Sequence, residues 1–241
     1  SEKIRQPILE ADGAVLKCQL WEDRSFQFKL DSLLLSNGTL YLPAVYAPNG
    51  TRTPILERIA FHLEPSEELL RIDSFAALHE DISLRGTIEW PLKPLPRSDE
   101  MLDPLDQFFR TTATALKEKS RFSPFKNPTL TFNLKILEDQ SVRIFSRLTC
   151  SEFEHKEALG SNFWMSADLR LKENQLTLES PLSLHVDTIQ VPRFDIAAQT
   201  LRAQVAKENW KDLLNGAWPE FKISAQDLTT QSITLTAPEI T

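Results

Sequence analysis

Hydrophobic and polar residues alternate one by one over most of this chain, the pattern of strands whose side chains point in turn to opposite faces. The cleanest run is Leu130-Thr131-Phe132-Asn133-Leu134-Lys135-Ile136, apolar on one side and polar on the other. Glu138-Asp139-Gln140 predicts a turn, after which Val142, Ile144, Ser146, Leu148 and Cys150 keep the rhythm. Phe163, Met165, Ala167, Leu169 and Leu171 follow, separated by Trp164, Ser166, Asp168 and Arg170. A Lys172-Glu173-Asn174 turn leads into Leu176, Leu178, Leu182, Leu184 and Val186, and Ile223, Ala225, Ile233, Leu235 and Ala237 repeat the theme.

The first third behaves likewise. Phe26, Phe28 and Leu30 alternate, Asn37-Gly38 predicts a hairpin turn before Leu40 and Leu42, and Asn49-Gly50 predicts a second turn. Both also match the N-x-Thr glycosylation pattern, but turn chemistry accounts for them. Ile82 to Trp90 reads as a strand paired with the region from Leu69 to Phe75. Two helices interrupt the strands. Asp103-Pro104 supplies a cap and a first-turn proline, and Leu105, Phe108, Phe109, Thr112, Ala113 and Leu116 share one helical face. A shorter helix spans Lys207 to Asn215, with Gly216 as its stop. The proline-rich segment from Pro91 to Pro104 predicts a linker.

The expected fold is therefore mainly β: an antiparallel, meandering, strongly curved sheet, as a β-groove or a β-sandwich, with one longer and one short α-helix. Residues 1–96 form the N-terminal β segment and 97–121 the linker and helix. Residues 122–241 form the C-terminal meander, the whole being divided or one continuous domain.

Composition narrows the function. The formal charge is −7 and Lys and Arg are scattered singly, so the basic stripe that nucleic acid requires is not visible. No run of eighteen apolar residues encodes a membrane-spanning helix. The opening Ser1-Glu2-Lys3-Ile4-Arg5 lacks Met and a signal peptide and reads as a cut from a longer protein. Membrane contact is then expected only through segments outside this sequence. Cys18 and Cys150 both fall in strand-like runs and read as buried thiols, a single disulfide being the alternative.

Enzyme templates fail one after another. Six glycines cannot supply nucleophile elbows, phosphate loops and dinucleotide fingerprints, and none of these patterns occurs. His62 and His185 occupy polar strand positions and are expected to face solvent, and His79 is expected in a turn. Cys150, Glu152, Glu154 and His155 are the one metal-like grouping, too loose for a zinc site. Asp23, Asp31, Asp73 and Asp168 fit solvated positions. No catalytic residue, metal ligand or cofactor is assigned. Trp164 stands out because it lies on the polar side of its strand, where an indole could stack on a sugar.

What remains is the apolar side of the strands. If that face stays open, Leu130, Phe132, Leu134, Ile136, Val142, Ile144, Phe163, Met165, Leu169, Leu176, Leu178, Leu182 and Leu184 line a groove for an acyl chain. If two such faces close on each other, the same residues are sandwich core. Periodicity leaves both open.

Several phrases carry a family likeness. Ile72-Asp73-Ser74-Phe75 through Ile82-Ser83-Leu84-Arg85-Gly86-Thr87-Ile88 resembles the repeats of AsmA/TamB-type bacterial envelope proteins. Phe194-Asp195-Ile196-Ala197-Ala198-Gln199-Thr200-Leu201 and the stretch from Ile223 to Leu235 do so too. The resemblance implies a groove-forming sheet in the periplasm that handles phospholipid without covalent chemistry, with other envelope proteins as further partners. The helix near Leu105 to Leu116 departs from that pattern. A structural or protein-interaction β domain of the envelope is the alternative, and a β-sandwich carbohydrate-binding module or enzyme the third.

Overall fold

In the computed structural model, the described residues are 8–22, 25–47, 49–92, 125–137, 139, 141–155, 158–172, 175–206, 221–225, 227–229, 234–236 and 239–240. They form antiparallel strands almost throughout, as the alternation requires. The expected helices at 103–116 and 207–215, and nearly all of the proline-rich linker, lie outside the described residues. The chain divides into two compact units, Ser1–Phe122 and Ser123–Thr241.

The first unit is a meander of β1 (Leu9–Glu22), β2 (Ser25–Leu42), β3 (Thr53–Pro65), β4 (Leu69–His79) and β5 (Ile82–Pro91), each paired with the next. Sequential antiparallel strands with short connections pair in this way because little loop entropy is lost. Leu35, Ile59 and Ala77, from three adjacent strands, form one buried cluster against Phe61, Phe75 and Leu84. Leu42 and Ile55 form a second beside Tyr46.

Asn37-Gly38 is not a hairpin turn. It lies inside β2, where Gly38 pairs with Ala11 on one side and Ile59 on the other. Asn37 takes the left-handed conformation (φ 50°), its amide donates to the Asp12 carboxylate, and the register to β3 shifts beside it. The site is a β-bulge, which uses the same Asn tolerance for positive φ that a turn uses. Asn49-Gly50 does turn: Gly50 has φ 68°, its N–H donates to Ala47 O at 3.0 Å, and Thr51 N–H donates to Asn49 Oδ1 at 3.1 Å.

The second unit contains β6 (Phe125–Lys126), β7 (Thr129–Ile136), β8 (Val142–His155), β9 (Ala158–Lys172), β10 (Gln175–Leu178), β11 (Leu182–Val191), β12 (Ile196–Val205), β13 (Phe221–Ser224), β14 (Asp227–Thr229), β15 (Thr234–Thr236) and β16 (Glu239–Ile240). The pairing order is β7-β8-β9-β11-β12-β13-β16, with β6 on β8, β10 on β9, and β14 on β12 and β15. No pairing among the described residues joins the two ends of either meander, so neither closes into a barrel.

The β7–β8 turn is tied to β9 by charge. Asp139 accepts from the Ser141 hydroxyl and N–H, from Arg170 at 2.7 Å and from Lys172 at 3.2 Å. The Ser141 and Lys172 hydrogen bonds hold the Asp139 carboxyl far below the usual carboxylate range. Lys126 lowers Glu152 in the same way, and His185 with Asn162 lowers Asp187. A carboxylate whose folded pKa is depressed adds stability above its unfolded pKa of about 4 and loses it as pH falls through the folded value. The melting temperature is therefore expected to hold from neutral pH to about pH 5 and to drop below about pH 4. Asp139→Asn should shrink that acid drop in thermal melts. A mutant curve running parallel to the parent's would remove Asp139 from the account.

Candidate functional site: an apolar sheet face

The register of the second unit brings the thirteen predicted floor residues onto one face. Leu134 faces Ile144, which faces Leu169, which faces Leu178. Ile136, Val142, Leu171 and Leu176 form the row on one side of it. On the other side, Leu130, Leu148, Met165, Leu184, Ala203 and Ile223 run across six strands. Phe132 lies between these rows opposite Ser146, Leu182 pairs with Val205, and Phe163 pairs with Cys150. Paired residues point to the same side of a sheet, so the rows make one continuous apolar surface.

Twelve of the thirteen keep part of their surface exposed; Leu178, at 6%, is the buried one. Leu178 and Val205 pack with Ala167, Leu169, Leu176 and Leu182. Core side chains in a closed sandwich are mostly lost to solvent altogether. Leu201, Ala203 and Val205 extend the face onto β12 and were not among the predicted residues, although they alternate with Arg202 and Gln204.

An aromatic group lies at one end. The rings of Phe125, Phe153 and Phe163 are 5.5–6.4 Å apart. Phe153 is an odd number of residues from Cys150, yet it meets Phe163 on the floor side, so the alternation on β8 reverses across Ser151. On β9 the same row holds Asn162 at φ 49°, a left-handed residue that inverts the pleat.

The opposite face is polar and mostly satisfied. Arg143 donates to both Asp168 oxygens, at 3.0 and 2.6 Å, so Asp168 is a buried ion-pair member and not the solvated carboxylate that its sequence position suggests. The Trp164 ring is flanked by His185, stacked at 5.5 Å, and by the Arg147 guanidinium at 4.7 Å. His185 is thus covered, its side chain 13% exposed, and its Nε2 meets Asp187 at 2.8 Å; it does not face solvent as expected. His79 ends β4 with Nδ1 against Ile55 O at 2.6 Å and is not a free turn residue. His62 stays accessible beside Glu64.

The loose grouping around Cys150 comes apart. Cys150 sits on the apolar side, where burial pushes its thiol up, while Glu152 pairs with Lys126 at 2.8 Å. Among the described residues no three His, Cys, Asp or Glu side chains are placed to hold a metal. Both cysteines carry free thiols; Cys150 is buried as expected, whereas Cys18 is partly exposed. A trough of about 290 Å³ opens near Glu152, Glu154, Ser161, Thr188 and Gln190, and it contains none of the thirteen floor residues.

No family model, curated protein or solved structure matches the chain.

Proposed function

We propose that this chain is a non-catalytic lipid-binding or lipid-transfer segment of a bacterial cell-envelope protein, with acyl chains lying on the apolar face of its second unit. The observation that carries the reading is the continuous, partly exposed apolar surface spread over β7 to β12. Contiguous apolar surface of this kind is rarely left exposed without a partner. Each methylene removed from water contributes about 0.8 kcal/mol, so an acyl chain covered along only part of its length gains enough to bind. The head group would remain at the wet rim, in the groove form of the sheet. The envelope and periplasmic setting comes from the resemblance of the strand phrases.

An envelope protein could present an apolar surface to the same face, which is the alternative reading. A sugar-binding role has less support, because Trp164 already has a partner on each side. Native mass spectrometry after mild purification tests the proposal. Co-purifying phospholipid, released by organic extraction, is the expected result. A lipid-free protein that also fails to take up a fluorescent fatty acid would overturn it.

A further inference from the structure

The scattered cations of the sequence meet on the face opposite the floor. Lys135, Arg143 and Arg170 stand side by side on three neighbouring strands. Two rows away, Arg147 shares a line of paired residues with Lys222, through Ser166, Ser183 and Gln204. Arg202 lies in the next line, paired with His185. With Lys172 beside Arg170 and Lys126 beside Glu152, eight cations stand among the described residues of this face against six carboxylates, Asp139, Glu152, Glu154, Asp168, Glu179 and Asp187, within a protein of formal charge −7.

Pairing uses up only part of this charge. Arg143 is held by Asp168, while Arg170 and Lys172 share Asp139. Arg147, Arg202 and Lys222 have no carboxylate partner among the described residues, and all three are exposed. Arg147, Arg202 and Lys222 stand opposite Ser166, His185 and Gln204 across the pairing, so no cross-strand ion pair accounts for their positions. Between Arg143 and Arg147, on the same face, Phe145 is 51% exposed. Strand spacing and rise give this face roughly 20 by 25 Å.

We infer that the polar face of the second unit docks on an anionic phospholipid bilayer, its arginines and lysines meeting the phosphates and Phe145 entering the head-group layer. A face that combines exposed cations with an exposed aromatic ring fits the phosphate and head-group layer of an anionic bilayer. Single-stranded nucleic acid fits less well. It needs open stacking platforms, and Trp164 is already flanked by Arg147 and His185, which leaves Phe145 alone. The rest of the chain is also strongly acidic and would repel a polyanion long enough to leave the face, whereas a bilayer touches one side only. This inference is independent of the acyl-binding proposal, because it uses the other side of the same strands.

Co-sedimentation of the whole chain with phosphatidylglycerol/phosphatidylcholine vesicles, against phosphatidylcholine alone, tests it. Binding to the anionic vesicles at low salt, weakening as salt rises, is expected. Arg147→Glu with Arg202→Glu should weaken binding about tenfold or more, and Phe145→Ala by a smaller factor. If the Glu pair disturbs folding in circular dichroism, Arg147→Gln with Arg202→Gln provides the same comparison. Ile144→Asp, on the floor, should leave vesicle binding unchanged, which separates a failure here from a failure of acyl binding. Equal binding to neutral vesicles, full binding by the charge variants, or a preference for single-stranded nucleic acid or an acidic peptide would overturn the inference.

Discussion

Leu134→Asp combined with Ile144→Asp is expected to empty the apolar face of acyl ligand while the second unit stays folded. The two residues oppose each other across β7 and β8, at the middle of the row that ends on Leu178. A carboxylate beneath a bound chain must either lose its water or push the chain away. Desolvating an unpaired charge costs several kcal/mol, so affinity should fall by roughly a hundredfold or more. Folding should survive because both side chains are partly exposed in the native sheet. Leu178→Asp would be the wrong experiment, since that buried site should unfold the unit. Ser166→Asp, on the polar face, supplies the matched control with unchanged acyl binding. Displacement of a fluorescent fatty acid, read beside far-ultraviolet circular dichroism, checks all of these. Tight binding by a folded double mutant would move the ligand off this face.

How much of this was legible depends on how local each signal is. The run from Leu130 to Ile136 and its successors through Leu184 alternate strictly, and hairpin register then stacks like on like, so thirteen floor residues were readable without a structure. Leu201, Ala203 and Val205 were missed because the small Ala203 interrupts the apolar stripe and leaves only two large residues alternating with Arg202 and Gln204. Phe153 was unreadable as a floor-side residue, since a pleat inversion breaks the period and the asparagine that marks it, Asn162, lies on the neighbouring strand. Asn37 announces positive φ, but a bulge and a turn share that requirement, and only the neighbouring strands decide between them. The basic face is the clearest loss. Arg143, Arg170 and Lys135 are adjacent only through pairing across three strands, so a search for runs of Lys and Arg along the chain cannot find them. Asp168 looked solvated for the same reason, its Arg143 partner being 25 residues away.

The pleat inversion makes its own prediction at Gly160. Phe153 pairs with this glycine, and a Cβ added to it would lie 2.3 Å from the Phe153 ring and 2.8 Å from the Thr188 carbonyl oxygen. The ring packs against Phe125 and Phe163 and also borders the trough, whereas the carbonyl belongs to the β11 backbone, which cannot yield without shifting the strand. Gly160→Ala is therefore expected to destabilise the second unit by about 1–3 kcal/mol, the usual range for overpacking. For a unit of this size that lowers the melting temperature by roughly 5–15 °C. Phe153→Ala alone should also destabilise, by opening the aromatic group, but the double mutant should be less unstable than the two single losses added together. Removing the ring relieves one of the two clashes and leaves the one with Thr188, so the rescue should be partial. A neutral Gly160→Ala, or fully additive losses, would mean that Phe153 does not lie over Gly160. The apolar face would then end at Cys150 and Phe163, without the aromatic wall that closes it.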